Sequence, residues 1–334
     1  MSVLLEIDGL HVRLPIEGRL RTVLHDVSLT IDEGEALGLV GESGSGKSMT
    51  ARAVARLLPD GAEASGGVAF RGQDVLTLRD KALRHYRTDE VAMIFQDPRA
   101  AINPVRTVGD FVTEGLRTNR GMKPAAARAR AVDLLGQVGI EDGERRLRQY
   151  PHELSGGLLQ RVMIAAVLSV EPRLILADEP TTALDVTTQS EIMAILDDLR
   201  RDRGMAMLFI THDLELAGAV CDRTSVMYAG SIVEEQAAAT LHTAPRHPYT
   251  AALLAARPDI TTTVHRLRAV PGNPLSAFEA PAGCAFAPRC PWAQERCRQE
   301  LPPLEATVAG HVRCIRADEI ADQLRGPATT RIAS

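Results

Sequence analysis

The sequence predicts an α/β fold built around a phosphate-binding loop, on three observations. Two short apolar runs, EALGLV at 35–40 and RLILADEP at 173–180, read as buried strands of a parallel sheet. The first leads straight into GESGSGKS, Gly41 to Ser48, and a helix-like stretch follows until Pro59-Asp60-Gly61 stops it. The second ends in Asp178 and Glu179, which strand polarity places at the sheet edge where α/β proteins bind ligands.

Composition narrows the class. A chain of 334 residues has room for one large or two ordinary domains, and 45% hydrophobic with 24% charged residues is a globular balance. A net charge of −5 and a pI near 6.0 argue against a duplex-coating nucleic-acid binder. With 3% aromatic residues, base-stacking platforms would be scarce. MSVLLEIDGL lacks the basic start of a signal peptide. The longest apolar run, MIAAVLSV at 163–170, is half of the ~18 residues that a membrane-spanning helix requires. The expectation is a cytosolic protein whose membrane contacts run through a partner.

Each element then has a chemical reading. Gly41, Gly44 and Gly46 allow backbone conformations that aim successive N–H groups at a phosphate, and the next helix adds its positive dipole end. The candidate nucleotide site is the whole loop: Gly41, Glu42, Ser43, Gly44, Ser45, Gly46, Lys47, Ser48 and Met49. Lys47 would reach the β- and γ-phosphates, and the Ser48 hydroxyl would ligate Mg²⁺. No GxGxxG fits, which sets a dinucleotide fingerprint aside. Asp178 can hold Mg²⁺ through water, leaving Glu179 to polarise an attacking water. ELSGGLLQRVMIAAVL at 153–168 gives Ser155 as N-cap, an open entrance at Gly156 and Gly157, and a buried helix. By itself it is a second anion-binding helix N-terminus or an ordinary capped helix.

Together these motifs resemble the ATP-binding-cassette (ABC) ATPases. LSGGLLQR is similar to their signature, FQDP at 95–98 to the Q-loop, TTALD at 181–185 to the D-loop and FITHD at 209–213 to the switch histidine. The order and spacing of six motifs extend the resemblance over about residues 5–235. It implies two cassettes stacked head to tail, with each ATP between one phosphate loop and the partner's signature helix. Ser155 and Gly157, beside Gly156, would then grip the γ-phosphate bound on the partner. Gln96 would contact Mg²⁺ and the attacking water, His212 would hold the γ-phosphate and orient Glu179, and Asp185 would lie across the seam. The family usually stacks an aromatic residue on adenine; here the matching position, in GLHVRLPIEG, is Leu14.

DPRAAINPVRTVGD at 97–110 and the Ala-rich AAARARAVDLLGQVG mark an inserted helical subdomain, about 97–165, whose surface receives a permease helix in transporters. APRHPYTAALLAARPD at 244–259 and the cysteine tail resemble the ATP-binding subunits of the oligopeptide/dipeptide import family, which also imports nickel complexes. Non-transport cassettes fit less well: the insertion after the phosphate loop is too short for a coiled coil, and there is one cassette, not two. A redox-sensing ATPase without a permease is the competing class.

Four of the five cysteines, Cys284, Cys290, Cys297 and Cys314, sit in a Pro-rich tail without CxxC knuckles. A reducing compartment disfavours two disulfides, and soft sulfur ligation suits either zinc or an iron–sulfur cluster. The family resemblance implies a [4Fe–4S] cluster. Cys221, alone in AVCDRTSVMYAG, reads as a core residue.

The expected architecture is a P-loop NTPase cassette over residues 1–255, with an antiparallel β subdomain and the helical insertion. A small Cys-rich C-terminal domain would occupy 256–334. The resemblance implies ATP, Mg²⁺ and the cluster as cofactors. Its implied partners are a second ATP-binding subunit (a different chain or a copy), two membrane permease subunits and an extracytoplasmic solute-binding protein, with no nucleic acid. The place is the cytoplasmic face of the plasma membrane, held peripherally.

Overall fold

A computed structural model describes residues 2–181, 184–256, 270 and 272–324. Strands β1 (Val3–Ile16) and β2 (Arg19–Asp32) form a long antiparallel hairpin, and β4 (Glu63–Phe70) and β5 (Gln73–Asp74) extend it in the order β2-β1-β4-β5. This is the expected antiparallel subdomain. Its inward residues, among them Leu5, Ile7, Leu10 and Val12 of β1, are buried.

The second sheet has eight strands. The predicted apolar runs become β3 (Ala36–Val40) and β7 (Leu174–Asp178). They are joined by β6 (Val91–Ile94), β8 (Ala206–Thr211), β9 (Arg223–Tyr228), β10 (Ser231–Ala237), β11 (Glu305–Thr307) and β12 (Gly310–Val312), in the order β11-β12-β10-β9-β3-β8-β7-β6. From β9 to β6 every pairing is parallel; from β9 outward to β11 every pairing is antiparallel. Strands β3, β7 and β8 are buried along their full length because both faces are covered. Leu37, Leu39, Leu174, Leu176 and Leu208 pack with the hairpin and the helix Lys47–Val54. On the other face Ile175, Ala177, Met207 and Phe209 pack with the helical insertion.

That insertion is a bundle of the helices Val108–Thr118, Pro124–Gln137 and Gly156–Ser169, whose buried residues include Val112, Leu134, Leu135, Val162 and Ile164. Thr107 and Asp110 form a capping box at the first helix. Pro124 starts the second, where a missing N–H costs nothing.

The expected separate C-terminal domain is corrected. Among the described residues, β11 and β12 complete the cassette's own sheet through β10, and Phe286 packs with Tyr228 and Tyr249 in a shared core. The buried Arg313 donates to Ile232 O at 2.9 Å, to Pro302 O at 2.8 Å and to Asp26 Oδ2 at 3.0 Å, tying this segment to both sheets. The tail is too small to bury an apolar core alone, so it borrows the cassette's. Cys221 is a core residue as expected, and burial pushes its thiol up.

Candidate functional site

Four adjacent strand ends build the site. Chain direction along β3, β8, β7 and β6 delivers, side by side, the phosphate loop, His212, the Asp178-Glu179 pair and Gln96. The loop leaves β3 at Gly41, where a Cβ atom would lie 2.1 Å from Met227 O, so only glycine fits. Gly46, with φ of 107°, turns the chain into the helix Lys47–Val54. The loop and the helix N-terminus face a cleft of about 370 Å³, lined by Ser43, Gly44, Gly46, Lys47, Ser48 and Met49 with Gln96 and Glu179.

Lys47 is buried, and its Nζ donates to Gly41 O at 2.8 Å and Glu42 O at 3.0 Å. Desolvation lowers its pKa, against the opposing pull of Glu179, Asp178 and Glu42. Ser48 Oγ donates to Asp178 Oδ1 at 2.8 Å, so the two residues expected to hold Mg²⁺ already meet across 130 positions of sequence. Burial raises the Asp178 carboxyl; the Ser48 hydrogen bond works against that, and Glu179 adds to it. An oxygen pair of this kind, with Gln96 beside it, fits a hard divalent cation.

Glu179 has φ of 46°, a left-handed conformation that costs a non-glycine residue energy, and its N–H is anchored to Ile210 O of β8 at 3.0 Å. Gln96 Nε2 donates to Glu179 Oε2 at 3.0 Å, and His212 Nδ1 stands 3.8 Å from the same oxygen. His212 is exposed, in a turn fixed by Thr211 Oγ1 accepting from Asp213 N at 3.0 Å.

The signature lies elsewhere. Ser155 caps its helix by accepting from Leu158 N at 3.4 Å. Gly157 packs so closely that a Cβ would sit 2.9 Å from Thr188 Cγ2. Neither residue lines the phosphate cleft; Gly156 borders a second cleft of about 530 Å³ with Gln96, Asp97, Gln160 and Leu184. Asp185, exposed, caps the helix Val186–Arg203 through Thr188 N at 3.0 Å, and that backbone hydrogen bond lowers its pKa. Residues 182–183 of the D-loop motif lie outside the described residues.

Sequence reasoning missed two contributors. Arg289 reaches across 247 positions to Glu42, with Nη1–Oε2 at 2.8 Å and Nη2–Oε1 at 3.2 Å, while Tyr249 Oη accepts from Glu42 N at 3.0 Å. Ser276, Ala277 and Phe278 border the phosphate cleft together with Leu14, Ile16 and Val23. The only signal for Arg289 was its place beside Cys290; for Phe278 there was none.

The four tail cysteines line one small cavity, about 20 Å³, with Phe286, Trp292 and Ile320. The expected cluster site is not pre-formed: no group of three or more His, Cys, Asp or Glu among the described residues is set to hold a metal. Burial pushes the Cys284 and Cys290 thiols up, and Cys314 to about 11.

Comparison with known proteins agrees with this geometry. The sequence profile described as "ABC transporter" matches residues 24–182, and that described as "Oligopeptide/dipeptide transporter, C-terminal region" matches 233–297. The oligopeptide transport ATP-binding protein OppD of Salmonella typhimurium (strain LT2) is 42% identical over 312 residues, covering 93% of each chain. The chain belongs to the ABC transporter ATP-binding subunits. Among solved ABC cassettes, the dimeric post-hydrolysis state of MJ0796 bound to ADP and Pi covers 70% of this chain and 99% of its own at 30% identity, TM-score 0.64. The cbiO1 cassette from Clostridium perfringens, part of the transporter complex cbiONQ, covers 71% and 90% at 27% identity, TM-score 0.60. As an ABC ATPase, this chain binds and hydrolyses ATP. Among the described residues no helix is long and apolar enough to cross a membrane.

Proposed function

We propose that this chain powers peptide import, hydrolysing ATP at a cleft that a second cassette completes and passing the resulting motion to two permease subunits. The observation that carries the reading is the division of the site. Lys47, Ser48, Gln96 and Glu179 line one cleft, with Asp178 hydrogen-bonded to Ser48 and His212 Nδ1 3.8 Å from Glu179, while Ser155, Gly156 and Gly157 lie outside it with their helix N-terminus available to a second nucleotide. The C-terminal match and OppD support peptide as the solute class. An extracytoplasmic binding protein would deliver it.

The chemistry follows from the geometry. The loop N–H groups and Lys47 bind the phosphates and offset their charge. Mg²⁺, when bound, would be held by Ser48, Asp178 and Gln96 and would neutralise charge on the phosphate oxygens. Glu179, placed by Gln96 and His212, takes the proton of a water whose oxygen attacks the γ-phosphorus, and the bond to the bridging oxygen of ADP breaks. The partner's signature, equivalent to Ser155 and Gly157 here, would cover the outer face of the γ-phosphate and exclude bulk water. Asp185 would meet the partner at the seam.

An apolar groove of about 380 Å³ between sheet and helical insertion, lined by Phe95, Phe111, Met163 and Val167, supports docking of a short permease helix there. The chain would thus sit peripherally on the cytoplasmic face of the membrane. In the tail, the all-sulfur donor set suits a soft metal, with [4Fe–4S] favoured by resemblance and zinc as the alternative. A cavity of about 20 Å³ has room for a single small ion, so a cluster requires the cysteine loops to move outward. Co-purification from membranes, with mass spectrometry of partners and metal analysis of the same sample, tests the assignment. Recovery of two permeases and a second cassette is expected; ATPase recovered free of any membrane protein would overturn it.

A further inference from the structure

The nucleotide cleft has a second half that the phosphate loop does not use. Besides the loop it is lined by Leu14 and Ile16 of β1, Val23 of β2, and Ser276, Ala277 and Phe278 of the C-terminal segment. The position where an aromatic stack was expected carries Leu14, which has no π face to offer a base. Phe278 supplies one nearby. Strand register pairs Leu14 with Arg21, and the Arg21 guanidinium lies over the Phe278 ring, 5.7 Å from its centroid. Phe278 therefore sits at the same end of the hairpin as Leu14.

The segment that carries Phe278 is fixed to the loop and to the hairpin. Ala277 N donates to Gly44 O at 3.3 Å, Ala277 O meets His25 Nε2 at 2.9 Å, and the Ala277 side chain is buried. Ser276 and Glu279 close a capping box around the turn. Phe278 is 39% exposed, one of few large apolar side chains so placed among the described residues, although its neighbour Ala277 is buried. An exposed aromatic ring lining a phosphate-binding cleft, braced by a guanidinium and sharing that cleft with aliphatic side chains, has the make-up of a base-stacking platform.

We propose that Phe278 is a nucleobase-binding and specificity-determining residue, its ring stacking on the adenine whose other side rests on Leu14, Ile16 and Val23. The C-terminal segment then completes the ATP site within one chain, and Arg21 sets the ring's orientation. This rests on the reading of the cleft as the ATP site, and the test separates the two.

Binding of ADP and of inorganic tripolyphosphate, a base-free probe of the phosphate loop, is measured by titration calorimetry on the full chain. Phe278→Ala should weaken ADP by roughly 5- to 100-fold, the range of one lost base–aromatic stack, and leave tripolyphosphate unchanged. Phe278→Tyr should keep ADP affinity, and Leu14→Tyr added to Phe278→Ala should restore much of it, since that aromatic faces the same base. Unchanged ADP affinity in Phe278→Ala overturns the proposal. So does equal weakening of both probes, which would mean that the variant had merely displaced the loop. Failure of the unaltered chain to bind either probe would instead overturn the reading of the cleft itself.

Discussion

The grip of Arg289 on the phosphate loop gives a quantitative prediction. The guanidinium makes a two-pronged ion pair with Glu42, has its Cζ 5.6 Å from the ring centroids of both Tyr228 and Phe286, and also donates to Tyr228 Oη at 3.2 Å. Its side chain is 5% exposed and that of Glu42 23%. Arg289→Met keeps the volume and removes the charge, leaving the Glu42 carboxylate without that partner. Removing one member of a buried pair costs ~3–5 kcal/mol, and the partial exposure of Glu42 puts the expected loss at the lower end, about 3 kcal/mol. Because Glu42 O also receives Lys47 Nζ at 3.0 Å, the disturbance should reach the phosphates and raise KM for ATP by roughly 3- to 10-fold. Urea unfolding gives the first quantity, steady-state phosphate release the second. Glu42→Gln should recover part of the stability when combined with Arg289→Met, with a coupling of about 1–3 kcal/mol. A stable Arg289→Met with unchanged KM, or strict additivity in the double variant, would refute the clamp.

Two further outcomes follow from the site and the tail. The Asp178 carboxyl is raised by burial, so its ionisation opposes folding of the nucleotide-free chain: the penalty is complete above the raised folded pKa and absent below the ordinary one. Asp178→Asn should therefore raise the melting temperature at neutral pH while abolishing turnover, and the gain should shrink as pH falls through the raised pKa; a lower melting temperature would contradict this. If the tail holds the proposed metal, Cys314→Ser should lose it from anaerobically purified protein while ATP binding persists, by iron, sulfide and zinc assays on one sample. Stoichiometric zinc without iron in the unaltered chain would replace the cluster with a zinc centre.

The candidate site was legible because its members sit at strand ends or in the loop and helix that follow one, where strand polarity and chain order suffice to place them. Ser48 and Asp178 meet at 2.8 Å, and Gln96 and Glu179 at 3.0 Å. Local signals sufficed there. The first helix ends at Val54 rather than running to Pro59, with Arg56 at φ of 58°, a turn no breaker residue announced. Strand β4 was not foreseen because Gly66 and Gly67 weaken its pattern; Gly66 is required where a Cβ would sit 2.2 Å from Gly9 O. The tail's role was the least legible. Its grip on Glu42 and its approach to the nucleotide cleft depend on contacts between distant parts of the chain, which leave no periodicity or spacing to read. The cysteines were found by their count, but their surroundings and their common cavity only by the fold.

Phosphate release by the membrane-extracted complex carrying Glu179→Gln in this chain tests the central claim most directly. The amide keeps the shape and the hydrogen bond to Gln96 but cannot take a proton. The site built on this chain's phosphate loop should lose ~10²–10⁴-fold in turnover while still binding ATP, and ATP should hold the two cassettes together. Turnover near that of the unaltered complex would contradict the assignment of Glu179 as the base and, with it, the account of how this cleft hydrolyses ATP.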